Sequence, residues 1–134
     1  RYLHSSFINI TEVVETKGVT YHDAEMDILG MTHEQIGFFL LDRWNFPREI
    51  SDPILSHHNP DESNSCPVLG AVVNMADYIT NRLKLTNAPW DNDVILAPFT
   101  QAKFNLEREL DVERFIDGYK DIFWNQIEFV RFLS

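Results

Sequence analysis

The stretch THEQIGFFLLDRWNFP, Thr32 to Pro47, carries the plainest structural signal in the chain. Thr32 with Gln35 three positions on is a capping-box start, in which side-chain oxygens serve the free N–H groups of a first helical turn. Ile36, Phe38, Phe39, Leu40, Leu41 and Trp44 follow, apolar around much of a helix's girth. The helix must stop before Pro47, whose ring disfavours a helical residue at Phe46. A helix apolar on so many sides is expected to sit centrally.

The same grammar extends in both directions. Upstream, Phe7, Ile10, Val13 and Val14 recur at helical spacing, so a helix from about Ser6 to Lys17 should close on Gly18. Thr20 and Asp23 then start a short helix that Gly30 ends. Downstream, Pro47 opens a fourth helix with Ile50, Ile54 and Leu55 inward, where Pro53 requires a loose first turn or a restart. His57 and His58 lie at its end, and the polar run Asn59 to Ser65 reads as an exposed loop. Pro67 reopens a long helix to about Lys84, with Val68, Leu69, Val72, Met75 and Ile79 as an apolar stripe and Asp77 on or beside it. Asn87 to Asp93 reads as a second loop, helical spacing resumes from about Phe99 to Leu106, and Asp111 caps a last amphipathic helix. Phe115, Ile116, Tyr119, Ile122, Phe123, Ile127, Val130 and Leu133 of that helix are expected to face a core or a partner. No segment reads as a strand, so the expected fold is all-α, one helical domain over 1–134 with C-terminal helices over 97–134.

Composition bounds the partners. The chain has 134 residues, 44% of them hydrophobic, with ten Phe, enough to bury a core. A formal charge of -10 without a Lys or Arg run repels a phosphate backbone, so nucleic acid is a poor partner. A single cysteine, Cys66, excludes an internal disulfide, and the longest apolar runs are too short for a bilayer. These features fit a cytoplasmic protein with no membrane contact. Arg1 opens directly into Tyr2-Leu3-His4 with no initiator methionine, which reads as a piece of a longer chain truncated at its start.

Four residues could carry chemistry: His33 just inside a helix start, the pair His57-His58 at a helix end, and Asp77 in the next long helix. Imidazole nitrogens and a carboxylate suit a divalent transition metal, and adjacent histidines can both ligate where a helix terminus turns the backbone between them. Taken alone, the same residues are more often caps and core hydrogen bonds than ligands. The surroundings point further. Glu25, then Leu29-Gly30, His33 with Gly37 four on, Trp44-Asn45-Phe46-Pro47 and His57-His58, followed by Ala76-Asp77, resemble the HDOD (HD-related output domain) family of the HD phosphohydrolase superfamily, with the strongest likeness over 25–83 and to the C-terminal part of such a domain.

The resemblance implies an HD-domain-like helical bundle and a regulatory module of bacterial signalling that acts through protein contacts without catalysis of its own, its partners being attached signalling domains, another protein or a second copy. It implies a divalent metal (Fe, Mn, Ni or Zn) on His33, His57, His58 and Asp77, or a relic of that site. In catalytic relatives such positions polarise water and phosphate, so a metal-dependent phosphohydrolase acting on nucleotides or cyclic dinucleotides is the second reading. The family's His-Asp doublet falls at or before Arg1; His22-Asp23 stands too close to His33, with Asp23 expected to face helix amides, and His4 has no aspartate after it. After His57-His58 the sequence runs Asn-Pro-Asp-Glu-Ser-Asn, without the Gly-Tyr-Pro segment of the cyclic-dinucleotide enzymes. Asp61, Glu62 and Asn64 lack the spacing of a calcium loop, Ser56 lacks a nucleophile's setting, Cys66 reads as buried or capping, and Phe38-Phe39 and Phe123-Trp124 read as core rather than pocket walls.

Overall fold

A computed structural model of the chain describes residues 2–84 and 94–133, with side chains over 5–84 and 94–126. The order is α1 (Tyr2–Lys17), α2 (Tyr21–Leu29), α3 (His33–Arg43), α4 (Arg48–Leu55), a 3-10 turn (Pro60–Glu62), α5 (Pro67–Arg82), α6 (Pro98–Phe104) and α7 (Glu109–Leu133). Among the described residues there is no strand, and the all-α expectation holds. None of their helices is long and apolar enough to cross a membrane. The loop expected over Asn87 to Asp93 lies outside the described residues, as do the side chains of His4, Ile127, Val130 and Leu133.

The boundaries follow from local chemistry. Thr20 Oγ1 accepts from the Asp23 N–H at 3.1 Å and so caps α2, which ends on Gly30 at φ 71, a left-handed conformation that glycine adopts without Cβ strain. Gln35 Oε1 accepts from the Thr32 N–H at 3.2 Å at the start of α3. At its end Asn45 is left-handed at φ 58 and the Phe46 N–H reaches the Leu41 carbonyl at 2.9 Å, so an asparagine closes the helix where glycine is commoner. Asp111 lies in the first turn of α7 rather than at its cap, and pairs with Arg108 through two bonds of 2.6 and 2.7 Å.

Packing divides into two apolar clusters. Ile10 of α1 meets Tyr21 and Ala24 of α2, while Met75 and Ile79 of α5 meet Leu96, Leu106, Val112 and Ile116. The fully buried Asn74 ties the approach to α6 onto α5, since Ala97 N–H donates to its Oδ1 at 3.0 Å and its Nδ2 donates to the Ile95 carbonyl at 3.2 Å.

Several expected faces are turned the other way. The helix α3 is peripheral rather than central: Phe39 is 59% exposed and Trp44, just past its end, 63%, because α3 packs chiefly on one side, against α4. Ile50 and Leu55 of α4 are exposed, and the residues it buries are Ser51 and Pro53. Pro53 lies inside a continuous helix, with no restart. In α5, Val68 and Val72 face out while Gly70, Ala71 and Asn74 face in. Small residues make the close contacts here, so large apolar ones are left outside. In α7, Ile116 is buried but Tyr119 and Ile122 are exposed. The run Asn59 to Ser65 is not uniformly exposed either, because Pro60 and Ser63 are buried.

Candidate metal centre

The site is built by a close approach. A Cβ placed on Gly37 of α3 would stand 2.9 Å from Ile54 Cγ2 of α4, so only glycine lets the two helices come this near. His33 lies one turn before Gly37 and His57-His58 one turn after Ile54, so the contact brings both ends to one place. Asp42 and Arg48 close the other end of the hairpin through a 3.0 Å ion pair, with the guanidinium 4.9 Å from the Phe38 ring centre.

The three imidazoles converge. One ring nitrogen from each of His33, His57 and His58 lies within 4.8 Å of the others, and the ring centres are 5.4, 5.1 and 4.1 Å apart. The Nε2 atoms of His33 and His58 face each other at 3.1 Å. Nitrogens bound to one tetrahedral ion at about 2.0–2.1 Å stand about 3.3 Å apart, so the pair is already near ligand spacing. His57, 7% exposed, donates Nδ1–H to the Ile54 carbonyl at 2.7 Å, which leaves Nε2 with the lone pair. Burial first, then the neighbouring rings of His57 and His33, push the His58 pKa below its usual value against the opposing charges of Glu34 and Asp77. A neutral ring is the form that ligates. The donor set therefore fits a divalent ion of the zinc, nickel or iron kind.

Asp77 is not among the three converging donors. It sits half-buried on α5, near enough for its charge to act on His58. The acidic residues that do touch the site are Glu25 and Glu34. Glu25 Oε2 accepts from the His33 N–H at 2.9 Å and from His33 Nδ1 at 3.0 Å, and Glu34 Oε2 lies 3.3 Å from the same nitrogen. The group Glu25, His33 and Glu34 could itself hold an ion by distance alone. However, Glu25 already receives two N–H donors, so these carboxylates read as supports behind His33. Burial opposes the ionised form of Glu34, but its own backbone N–H and the His33 and His58 rings outweigh that and lower its pKa.

In the sequence Glu25 stands out only as part of a pattern, and Glu34 carries no signal of a role. An acidic residue immediately after a capping threonine is the available signal for Glu34, but first-turn acids are common for dipole reasons alone. The doublet His22-Asp23 is otherwise engaged: Thr20 Oγ1 donates to Asp23 Oδ2 at 2.8 Å, and His22 Nε2 stands 3.6 Å from Glu34 Oε1. Asp61, Glu62 and Asn64 are exposed, and Cys66 is partly buried at the start of α5.

The HDOD domain family matches residues 1–60, a segment holding Glu25, His33, Gly37, His57 and His58. Residues 1–60, 60 of the chain's 134, are thus similar to the HDOD domain family. The HDOD match begins upstream of Glu25, the start of the strongest likeness in the sequence, and ends before Asp77. No curated protein and no solved structure matches the chain.

Proposed function

We propose that this HDOD-like chain is a non-enzymatic, cytoplasmic signal-output module in which one divalent ion, held by His33, His57 and His58, clips the start of α3 to the end of α4. The observation that carries the reading is the 3.1 Å facing pair of Nε2 atoms beside a third imidazole whose Nδ1 is already committed. A bound ion would supply a further cross-link between two helices already joined by the Gly37–Ile54 approach and the Asp42–Arg48 ion pair. Phe39 on α3 and Trp44 and Phe46 in the turn that follows it are exposed, apolar surface of the kind that protein partners cover. Three neutral nitrogens leave an ion doubly positive and open to a further ligand, which is also what a phosphohydrolase needs, and the charge of Asp77 near His58 is the observation that favours that second reading.

Metal analysis after zinc or manganese loading, with hydrolysis of bis(4-nitrophenyl) phosphate followed in parallel, tests both. One ion per chain, lost in His57→Ala, with hydrolysis no faster than in that variant supports the module. Hydrolysis abolished by His57→Ala replaces it with the phosphohydrolase. Equal and substoichiometric metal in both proteins makes the histidines a relic that only joins helices.

A further inference from the structure

His33 has two ring nitrogens, and the metal reading above uses only Nε2. The surroundings of Nδ1 make Nε2 the available one. Glu25 is 9% exposed on α2, and a buried carboxylate is stable only where donors reach it. Its donors come from one residue of the next helix: the His33 N–H at 2.9 Å and His33 Nδ1 at 3.0 Å on Oε2, with Oε1 3.2 Å from the same Nδ1. Glu34 Oε2 adds a third carboxylate oxygen at 3.3 Å from Nδ1. A ring nitrogen without a proton presents a lone pair, which so many acceptor oxygens would repel. Nδ1 therefore carries a proton, and in the neutral ring the lone pair is then on Nε2, 3.1 Å from His58 Nε2.

We propose that Glu25 is a positioning residue that holds His33 in the Nδ1–H tautomer and aims its Nε2 at the three-histidine cluster, an inference that rests on the metal reading for its purpose but not for its geometry. The Ile54 carbonyl does the same for His57 from α4 at 2.7 Å. Two of the three rings are thus set by acceptors outside the cluster, one a carboxylate and one a backbone oxygen. Carboxylate support also raises the basicity of the ligand nitrogen, and loss of such a partner weakens metal binding by about 10–100-fold. A purely structural alternative exists, in which Glu25 merely receives the first N–H of α3, and the two roles separate experimentally.

Glu25→Gln keeps the shape and an oxygen for the His33 N–H, but places an NH2 group against Nδ1 where an oxygen now stands. Glu25→Asp keeps the charge on a shorter arm. The readouts on the full chain are the histidine side-chain tautomers from long-range proton–nitrogen NMR without metal, and zinc affinity from chelator competition. Wild type is expected to show His33 as Nδ1–H. Glu25→Gln should populate the Nε2–H form and weaken zinc about 10–100-fold, and Glu25→Asp should restore the Nδ1–H form. An unchanged tautomer and unchanged zinc affinity in Glu25→Gln overturn the proposal and leave Glu25 as a cap. Should Glu25→Gln not fold, Glu25→Ala carries the test, since it removes the carboxylate from Nδ1, and a His33 ring that stays wholly Nδ1–H at full zinc affinity there overturns the assignment. A wild type that shows the Nδ1–H tautomer yet binds no zinc sinks the metal reading while the positioning role stands.

Discussion

At the scale of single residues, the fold spends its buried polar groups on joints between helices. Asp52 accepts from Ser63 Oγ and from the Ser65 N–H, both at 2.8 Å, and so moors the 3-10 turn and the start of α5 to α4 just ahead of the histidine pair. Burial pulls its pKa up, but the Ser65 N–H and the Ser63 hydroxyl outweigh that and hold it below the usual carboxylate value. A folded-state pKa below the unfolded one, about 3.9, gives stability that is present at neutral pH and is lost as pH falls through about 4 and on toward the lower folded value. Asp52→Asn should therefore unfold at lower urea than wild type at pH 7, with the gap closing below about pH 4; a gap that is the same at both pH values contradicts this. The partners of Asp52 could not be read from sequence. Ser63 and Ser65 are spelled as ordinary loop residues, and only the fold shows which of that run's polar groups turns inward.

Among elements, the α3–α4 hairpin matters most, and Gly37 is its hinge point. An alanine there regains about 0.5–1 kcal/mol of helix propensity, whereas a Cβ 2.9 Å from Ile54 Cγ2 forces overpacking of about 1–3 kcal/mol. The steric term wins. Gly37→Ala should lose roughly 1–2 kcal/mol in urea unfolding and also weaken zinc binding, since the helices separate at the turn that carries the histidines. Equal or greater stability with undiminished zinc binding contradicts the close-approach account. Element order and type were legible because caps and breakers are local: Thr20, Gly30, Thr32 and Pro67 each mark a boundary that the structure keeps. Which face of each helix is buried was not legible. Periodicity finds an apolar stripe, but α3 and α5 turn glycine, alanine and asparagine inward at their tightest contacts and leave Phe39, Trp44 and Val72 outside. The closest packing demands small side chains, so a hydrophobic pattern points away from it.

For the whole molecule, the two apolar clusters lie at opposite ends of the chain order, α1 with α2 and α5 with α6 and α7, and the histidine hairpin joins them. The hairpin contributes no buried large apolar residue to either cluster, and hydrogen bonds carry it: His33 to Glu25 on the α2 side, Asp52 to Ser63 and Ser65 on the α5 side. The histidine convergence was legible in the sequence as a family pattern, since His33, Gly37 and His57-His58 fall in the HDOD-matched segment. The carboxylate support behind His33 was not, because Glu25 reaches it across the Leu29-Gly30 turn, a contact between two helices that spacing alone does not specify. The X-ray absorption spectrum of the zinc-loaded chain bears most directly on that convergence. Convergence of the three rings should give a nitrogen shell at about 2.0–2.1 Å with the outer-shell scattering of three imidazoles, reduced by one ring in His58→Ala. A shell of oxygens without imidazole scattering, or zinc that washes away from wild type, would contradict it.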